Sequence, residues 1–295
     1  MTNSTLRRAL AVVAMIATVG FTYSSVQTEK VCEGFVPENN QYIPAGLFTT
    51  GGISEVQFNQ VMDRMEQIYK PIVEADGKTL RINRLWTNGT VNASAQLSGS
   101  TRILNMYGGL ARHKTIGIEG MALVACHEMG HHLGGAPKVD GWYGNAWASN
   151  EGASDYFAAL KCLRVFFSQD DNATIVAGLT IDPTAKAGCE AQYSDINDQL
   201  ICLRISEAGQ QVANLFADLS KESTPAKYST PDPRQVRETD DSHPATQCRL
   251  DTYFQGALCP VRVSDALSDT DYKQGSCYSP RDAVGFRPRC WFAPN

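Results

Sequence analysis

Basic residues are in the minority. Lysine and arginine number 26 against 31 aspartates and glutamates, for a net charge of −5, so there is no basic surface and nucleic acid is not an expected partner. Long apolar runs are also missing. The longest, Ala9 to Phe21, has about 13 residues and is short for a membrane span. No two cysteines stand in C-x-x-C spacing, which argues against a thiolate metal site. There is no internal repeat and no clear linker. Histidine is scarce, with only 5 in the chain: His113, His127, His131, His132 and His243.

Arg7 and Arg8 ahead of the apolar run, with small polar residues after it, read as a signal peptide over residues 1–25. Residues 26–295 then form one domain with a Cys-rich C-terminal extension. Removal of the signal leaves no stable membrane span, and the chain is expected to be periplasmic or secreted. Nine cysteines support export, since disulfides persist outside the cytosol. Short loops favour Cys189–Cys202, Cys248–Cys259 and Cys277–Cys290. Cys32–Cys162 is then left over, with Cys126 as the free thiol inside a helix. Eight cysteines allow 105 pairings, so spacing alone does not decide among them.

Apolar periodicity predicts a helix over Ser54–Tyr69, ended by Pro71. Strand-like stretches follow at Thr79–Trp86, Thr90–Gln96 and Thr101–Met106, read as a small antiparallel sheet. Further helices are expected over about Gly117–Leu133, Asn150–Phe167, Ser194–Leu219 and Pro244–Gln255, with residues 168–188 as a loop.

The helix at 117–133 holds His127-Glu128-Met129-Gly130-His131, the H-E-x-x-H pattern. Histidines four apart share a helix face, and both imidazoles can reach one zinc ion. Glu128 beside them can hold a water as general base. A third ligand is needed. Pro137 stands where a three-histidine site would place its last histidine, so that arrangement fails. Glu151, twenty residues after His131 at the start of a helix, supplies a carboxylate instead. Asp155, one turn later, can accept the free ring N–H of His127 and set its tautomer. His132 points about 100° away from His131 and reads as structural. His113 is given no role.

His127-Glu128-x-x-His131 with Asn150-Glu151-x-x-Ser154-Asp155 resembles the gluzincin metallopeptidases, and the second element is thermolysin-like. Val91-Asn92-Ala93-Ser94-Ala95 and His243-Pro244-Ala245-Thr246-Gln247-Cys248-Arg249 resemble segments of the CaaX prenyl endopeptidase family, particularly its soluble members. The four elements, in order, cover roughly residues 91–250. The family's E-x-E-A-D reads Glu151-Gly-Ala-Ser-Asp155 here.

The resemblance implies an α+β, zincin-like single domain, with a small antiparallel sheet packed on the metal helix. It implies a zinc-dependent endopeptidase acting on a protein or peptide. Asn92, Ala93 and Ser94 would form the edge strand that binds the substrate. His243 would donate to the oxyanion, with Tyr143 and Tyr156 as weaker candidates, and Arg249 would orient a carboxylate such as Asp155. The competing class is a non-catalytic, zinc-containing chaperone or binding protein that uses the same cleft.

Overall fold

The computed structural model describes residues 29–30, 34–46, 51–139, 147–278 and 284–294. The proposed signal peptide, Cys32, Trp142 and Tyr143 lie outside them. The fold is α+β.

Helix α1 (Glu55–Ala75) begins at a capping box, in which Ser54 Oγ accepts from the Gln57 amide and the Gln57 side chain answers the Ser54 amide. Phe58, Val61, Met62, Met65, Tyr69 and Val73 form its buried stripe. Pro71 does not end this helix as the sequence suggested. Burial of Tyr69 and Val73 on either side holds the last turn together, and tertiary packing outweighs the one missing amide donor.

The sheet has four strands in the order β1-β3-β4-β2, with β1 at Glu29–Lys30, β2 at Thr79–Leu85, β3 at Ala93–Ser98 and β4 at Thr101–Tyr107. β3 and β4 form a hairpin around Gly99. The sheet is mixed rather than antiparallel. β2 joins β4 in parallel, Leu80 beside Arg102 and Ile82 beside Leu104, because the 86–92 connection crosses the end of β4 before β3 begins. The expected free edge is not free either: β1 pairs antiparallel with β3, Glu29 opposite Leu97 and Lys30 opposite Gln96.

A short turn of helix, α2 (Gly108–Ala111), leads to the central helix α3 (Ile118–Leu133). α3 is buried on nearly every side, from Glu119 to His132, as befits a helix at the centre of a fold. It carries no cap of its own. Gln211 Oε1, reaching across from α8 (Ile196–Ser220), accepts from the Gly117 amide at 2.8 Å and the Gly120 amide at 2.9 Å.

After α3 the chain turns at Gly134-Gly135 and enters α4 (Glu151–Phe157), which continues through a π-helical turn (Ala158–Cys162) into α5 (Leu163–Phe167). Residues 168–188 are not one loop. They hold α6 (Asn172–Ala177) and the start of α7 (Pro183–Gln192), each capped by an aspartate, Asp171 and Asp182. These helices are too short to show a periodic stripe. α8 runs through Gly209 without a break, and α9 (Thr246–Leu258) lies against α8, α4 and the π turn. No helix among the described residues is long and apolar enough to cross a membrane.

Four disulfides join Cys126–Cys162, Cys189–Cys202, Cys248–Cys290 and Cys259–Cys277. Only Cys189–Cys202 matches the spacing argument. Cys126 is bonded, tying α3 to the π turn. The C-terminal pairs are nested rather than sequential, Cys259–Cys277 inside Cys248–Cys290, because the tail folds back over α9 and brings Cys290 to Cys248. Four disulfides fit an oxidising compartment.

Candidate metal centre

The local sequence explains how each side chain is aimed. His127 and His131 lie one turn apart on α3, with their rings 4.8 Å apart and nearly perpendicular. Asn150 is the N-cap of α4, its Oδ1 accepting from the Ala153 amide at 2.9 Å, and so Glu151 is the first helical residue and projects from that end toward α3. The two helices approach closely because Gly130 faces Ser154. A Cβ at Gly130 would fall 2.8 Å from the Ser154 backbone.

His127 Nε2 lies 3.3 Å from Glu151 Oε2, and His131 Nε2 lies 3.6 Å from Glu151 Oε1. The ligand atoms of the three residues fall within 4.8 Å of one another. All three are buried, Glu151 at 3% exposure and both histidines at 0%. His127 Nε2 and both Glu151 oxygens have no hydrogen-bond partner. Orphaned polar atoms at such depth are costly. A cation at their meeting point satisfies them together, so the residues fit a metal ion. Two imidazoles and a carboxylate suit zinc and several other divalent metals. The only other grouping of this kind among the described residues, Asp232 with Cys248 and Cys290, is spent, because its two sulfurs are bonded to each other.

Behind the ligands stands a network that orients them. Asp155 Oδ1 faces His127 Nδ1 at 2.7 Å. Arg249 grips the same carboxylate with two bonds, Nε to Oδ2 at 2.8 Å and Nη2 to Oδ1 at 2.7 Å, and Tyr253 Oη adds a third at 2.8 Å. His131 Nδ1 faces the Ser149 carbonyl at 2.9 Å and Ser154 Oγ at 3.1 Å. Both rings therefore turn Nε2 toward Glu151.

Burial alone would push the Asp155 carboxyl up, but the Arg249 charge and His127 hold it below the usual carboxylate range. Burial would lower His127, but Asp155 and then Glu151 outweigh it and lift the imidazole to about 9. Burial dominates at His131 and lowers it to about 4. Glu151 is pulled down, against its burial, mainly by His127 and His131. The pocket thus favours positive charge at the point where the ligand atoms converge.

Glu128 is fully buried, and neither of its oxygens has a hydrogen-bond partner. Burial pushes its carboxyl up to about 8, opposed by His127.

His243, just before α9, reaches the centre from the other side. Its Nε2 lies 2.9 Å from the Gly34 carbonyl and 3.5 Å from Glu151 Oε2. Arg249 stands on Asp155 and also donates from Nη1 to the Phe35 carbonyl at 3.0 Å. Tyr156 is turned away, donating to the Gly285 carbonyl. His132 stacks on Trp147, and His113 meets Thr115 and Asp218.

Ala93 and Ser94 begin β3, and Asn92 precedes it. Ser94 turns away from the centre, its Oγ accepting from Asn105 Nδ2 at 3.1 Å. Asn92 and Ala93 hold the chain's own residues 34–36. Tyr253, Ser149 and Phe35 are the participants that motif reading missed. Tyr253 lies one helical turn after Arg249, and that spacing is the only trace of it in the sequence.

Comparison of the chain with family models, with curated proteins and with solved structures finds no match.

Proposed function

We propose that this chain is an exported, zinc-dependent endopeptidase with a zincin-like fold, of the gluzincin kind that its motifs resemble. The observation that carries the reading is Glu128. It is a fully buried carboxylate beside the ligand cluster, with neither oxygen paired. A residue that serves only the fold would have its hydrogen bonds met, whereas a general base needs them open for water.

Zinc bound by His127, His131 and Glu151 would supply Lewis acidity and ease deprotonation of water near neutral pH. Beside that charge, Glu128, whose carboxyl burial lifts, would be held in the ionised form a base requires. Glu128 then accepts a proton from the attacking water and passes it to the leaving amine. His243 Nε2–H donates to the carbonyl oxygen as charge gathers on it. Asp155 keeps the His127 proton on Nδ1, and Arg249 keeps Asp155 ionised.

The depth of the centre favours a second reading, a non-catalytic chaperone or binding protein with a structural metal. Glu128→Gln separates the two. The peptidase reading expects the variant to keep its zinc stoichiometry and lose about 10²–10⁴-fold in kcat/KM on casein or a peptide library. Equal, chelator-insensitive hydrolysis by wild type and variant would exclude it.

A further inference from the structure

The chain's own residues 34–36 pack against the centre. They form a bend beside the start of β3, tied by hydrogen bonds to Asn92, Ala93, His243 and Arg249. The Gly34 carbonyl faces His243 Nε2 at 2.9 Å. The Phe35 amide donates to the Ala93 carbonyl at 2.9 Å. The Phe35 carbonyl accepts from Arg249 Nη1 at 3.0 Å. The Val36 amide donates to Asn92 Oδ1 at 3.1 Å, and Asn92 Nδ2 returns a bond to the Val36 carbonyl at 3.4 Å. The Phe35 ring is fully buried against His127 at 4.8 Å and Phe216 at 5.4 Å, with the Arg249 guanidinium 4.7 Å from it. Main-chain hydrogen bonds to a strand, with one side chain buried, are how a peptide is held for recognition, and here one backbone bond and three side chains do the holding.

Resting on the peptidase reading, we propose that the Gly34–Phe35 peptide bond is a self-cleavage site of this centre. Its carbonyl oxygen already meets the His243 imidazole, which lies 3.5 Å from Glu151 Oε2, and its amide is fixed on Ala93. Water oxygen attacks the Gly34 carbonyl carbon while Glu128 takes one water proton. The C–N bond breaks, and the same proton goes to the Phe35 nitrogen. The second water proton passes from the new Gly34 carboxyl to the Phe35 amine, which leaves Gly34 as a C-terminal carboxylate and Phe35 as a charged amino terminus, with one water consumed and no oxidant or reductant needed.

The placement depends on glycine. Gly34 has φ of +136°, and a Cβ there would fall 2.4 Å from the Asn92 side chain. A larger residue at 34 cannot lie in this position.

The test is intact-mass and amino-terminal analysis of the full chain during zinc loading. The expected result is a new amino terminus at Phe35, formed with a first-order rate that does not change with protein concentration. Glu128→Gln should slow it about 100-fold or more. Gly34→Ala, with the base intact, should slow it roughly tenfold or more, because its backbone conformation excludes a side chain. A reading without turnover comes from hydrogen exchange of the metal-free Glu128→Gln protein. There the Phe35 and Val36 amides should be protected to the level of β3, and free exchange would overturn the placement. If external peptides are cut while the Gly34–Phe35 bond stays whole, the inference falls and the peptidase reading stands. If neither is cut, the peptidase reading falls as well.

Discussion

At the scale of single residues, the centre turns on Asp155. One buried carboxylate takes four contacts, from His127, from Arg249 twice and from Tyr253. Asp155→Asn keeps the shape and removes the charge. It leaves buried Arg249 with only Glu151 Oε2, 3.9 Å from Nη2, as a counter-ion, and breaking a buried ion pair costs about 3–5 kcal/mol. It also frees the His127 ring to change tautomer, so metal affinity should fall about 10–100-fold. Chelator competition measures the second effect and thermal unfolding the first. Unchanged affinity would mean that Asp155 does not act through His127. Much of this was legible in the chain. Helical spacing places His127 with His131, and Glu151 with Asp155, on shared faces. What reached the centre from afar was not legible. Phe35 and Gly34 carry no motif, and they arrive through contacts more than two hundred residues away from His243 and Arg249.

At the scale of elements, the geometry of the ligands is the geometry of α3 against α4. Gly130 sets that distance, since a methyl group there meets the Ser154 backbone at 2.8 Å. Backbone cannot move aside as a side-chain end can. Gly130→Ala should therefore destabilise the fold by about 1–3 kcal/mol and loosen metal binding as Glu151 is pushed from the histidines. Gly178→Ala, where the nearest atom stands at 3.5 Å, is the control expected to be close to neutral. Urea unfolding of the two variants decides, and equal midpoints would contradict the close-packing argument. α1 and α8 could be read from their apolar stripes, and α3, buried all round, from its H-E-x-x-H motif and the glycines that end it. The short α6 and α7 could not, having too few turns to repeat a pattern. The parallel pairing of β2 with β4 was also hidden, because strand order depends on a crossover and not on alternation within a strand.

At the scale of the whole molecule, disulfides brace the centre from two sides. Cys126–Cys162 joins α3 to the π turn across a separation of 36 residues, and Cys248–Cys290 pins the tail to α9. Replacing Cys126 and Cys162 together with alanine should cost about 2–4 kcal/mol, more than the same change at Cys189 and Cys202, whose separation is 13. Calorimetric unfolding of the two double variants tests the order, and a larger loss at the shorter loop would refute the chain-entropy account. None of the long pairings could be read from spacing, since they follow from how α3 meets the π turn and how the tail folds. That tail has one more effect. Trp291 lies on Gly152, so close that a Cβ there would sit inside the ring system, and its indole N–H is held by Thr252 at 3.0 Å. The helix that presents Glu151 thus rests on a residue made 140 positions later. During synthesis the histidines emerge first, the glutamate soon after, and its support last of all. A nascent chain carries the ligands through 140 further residues, from 151 to 291, without the packing that aligns them, and the centre is completed only when residue 291 has left the ribosome.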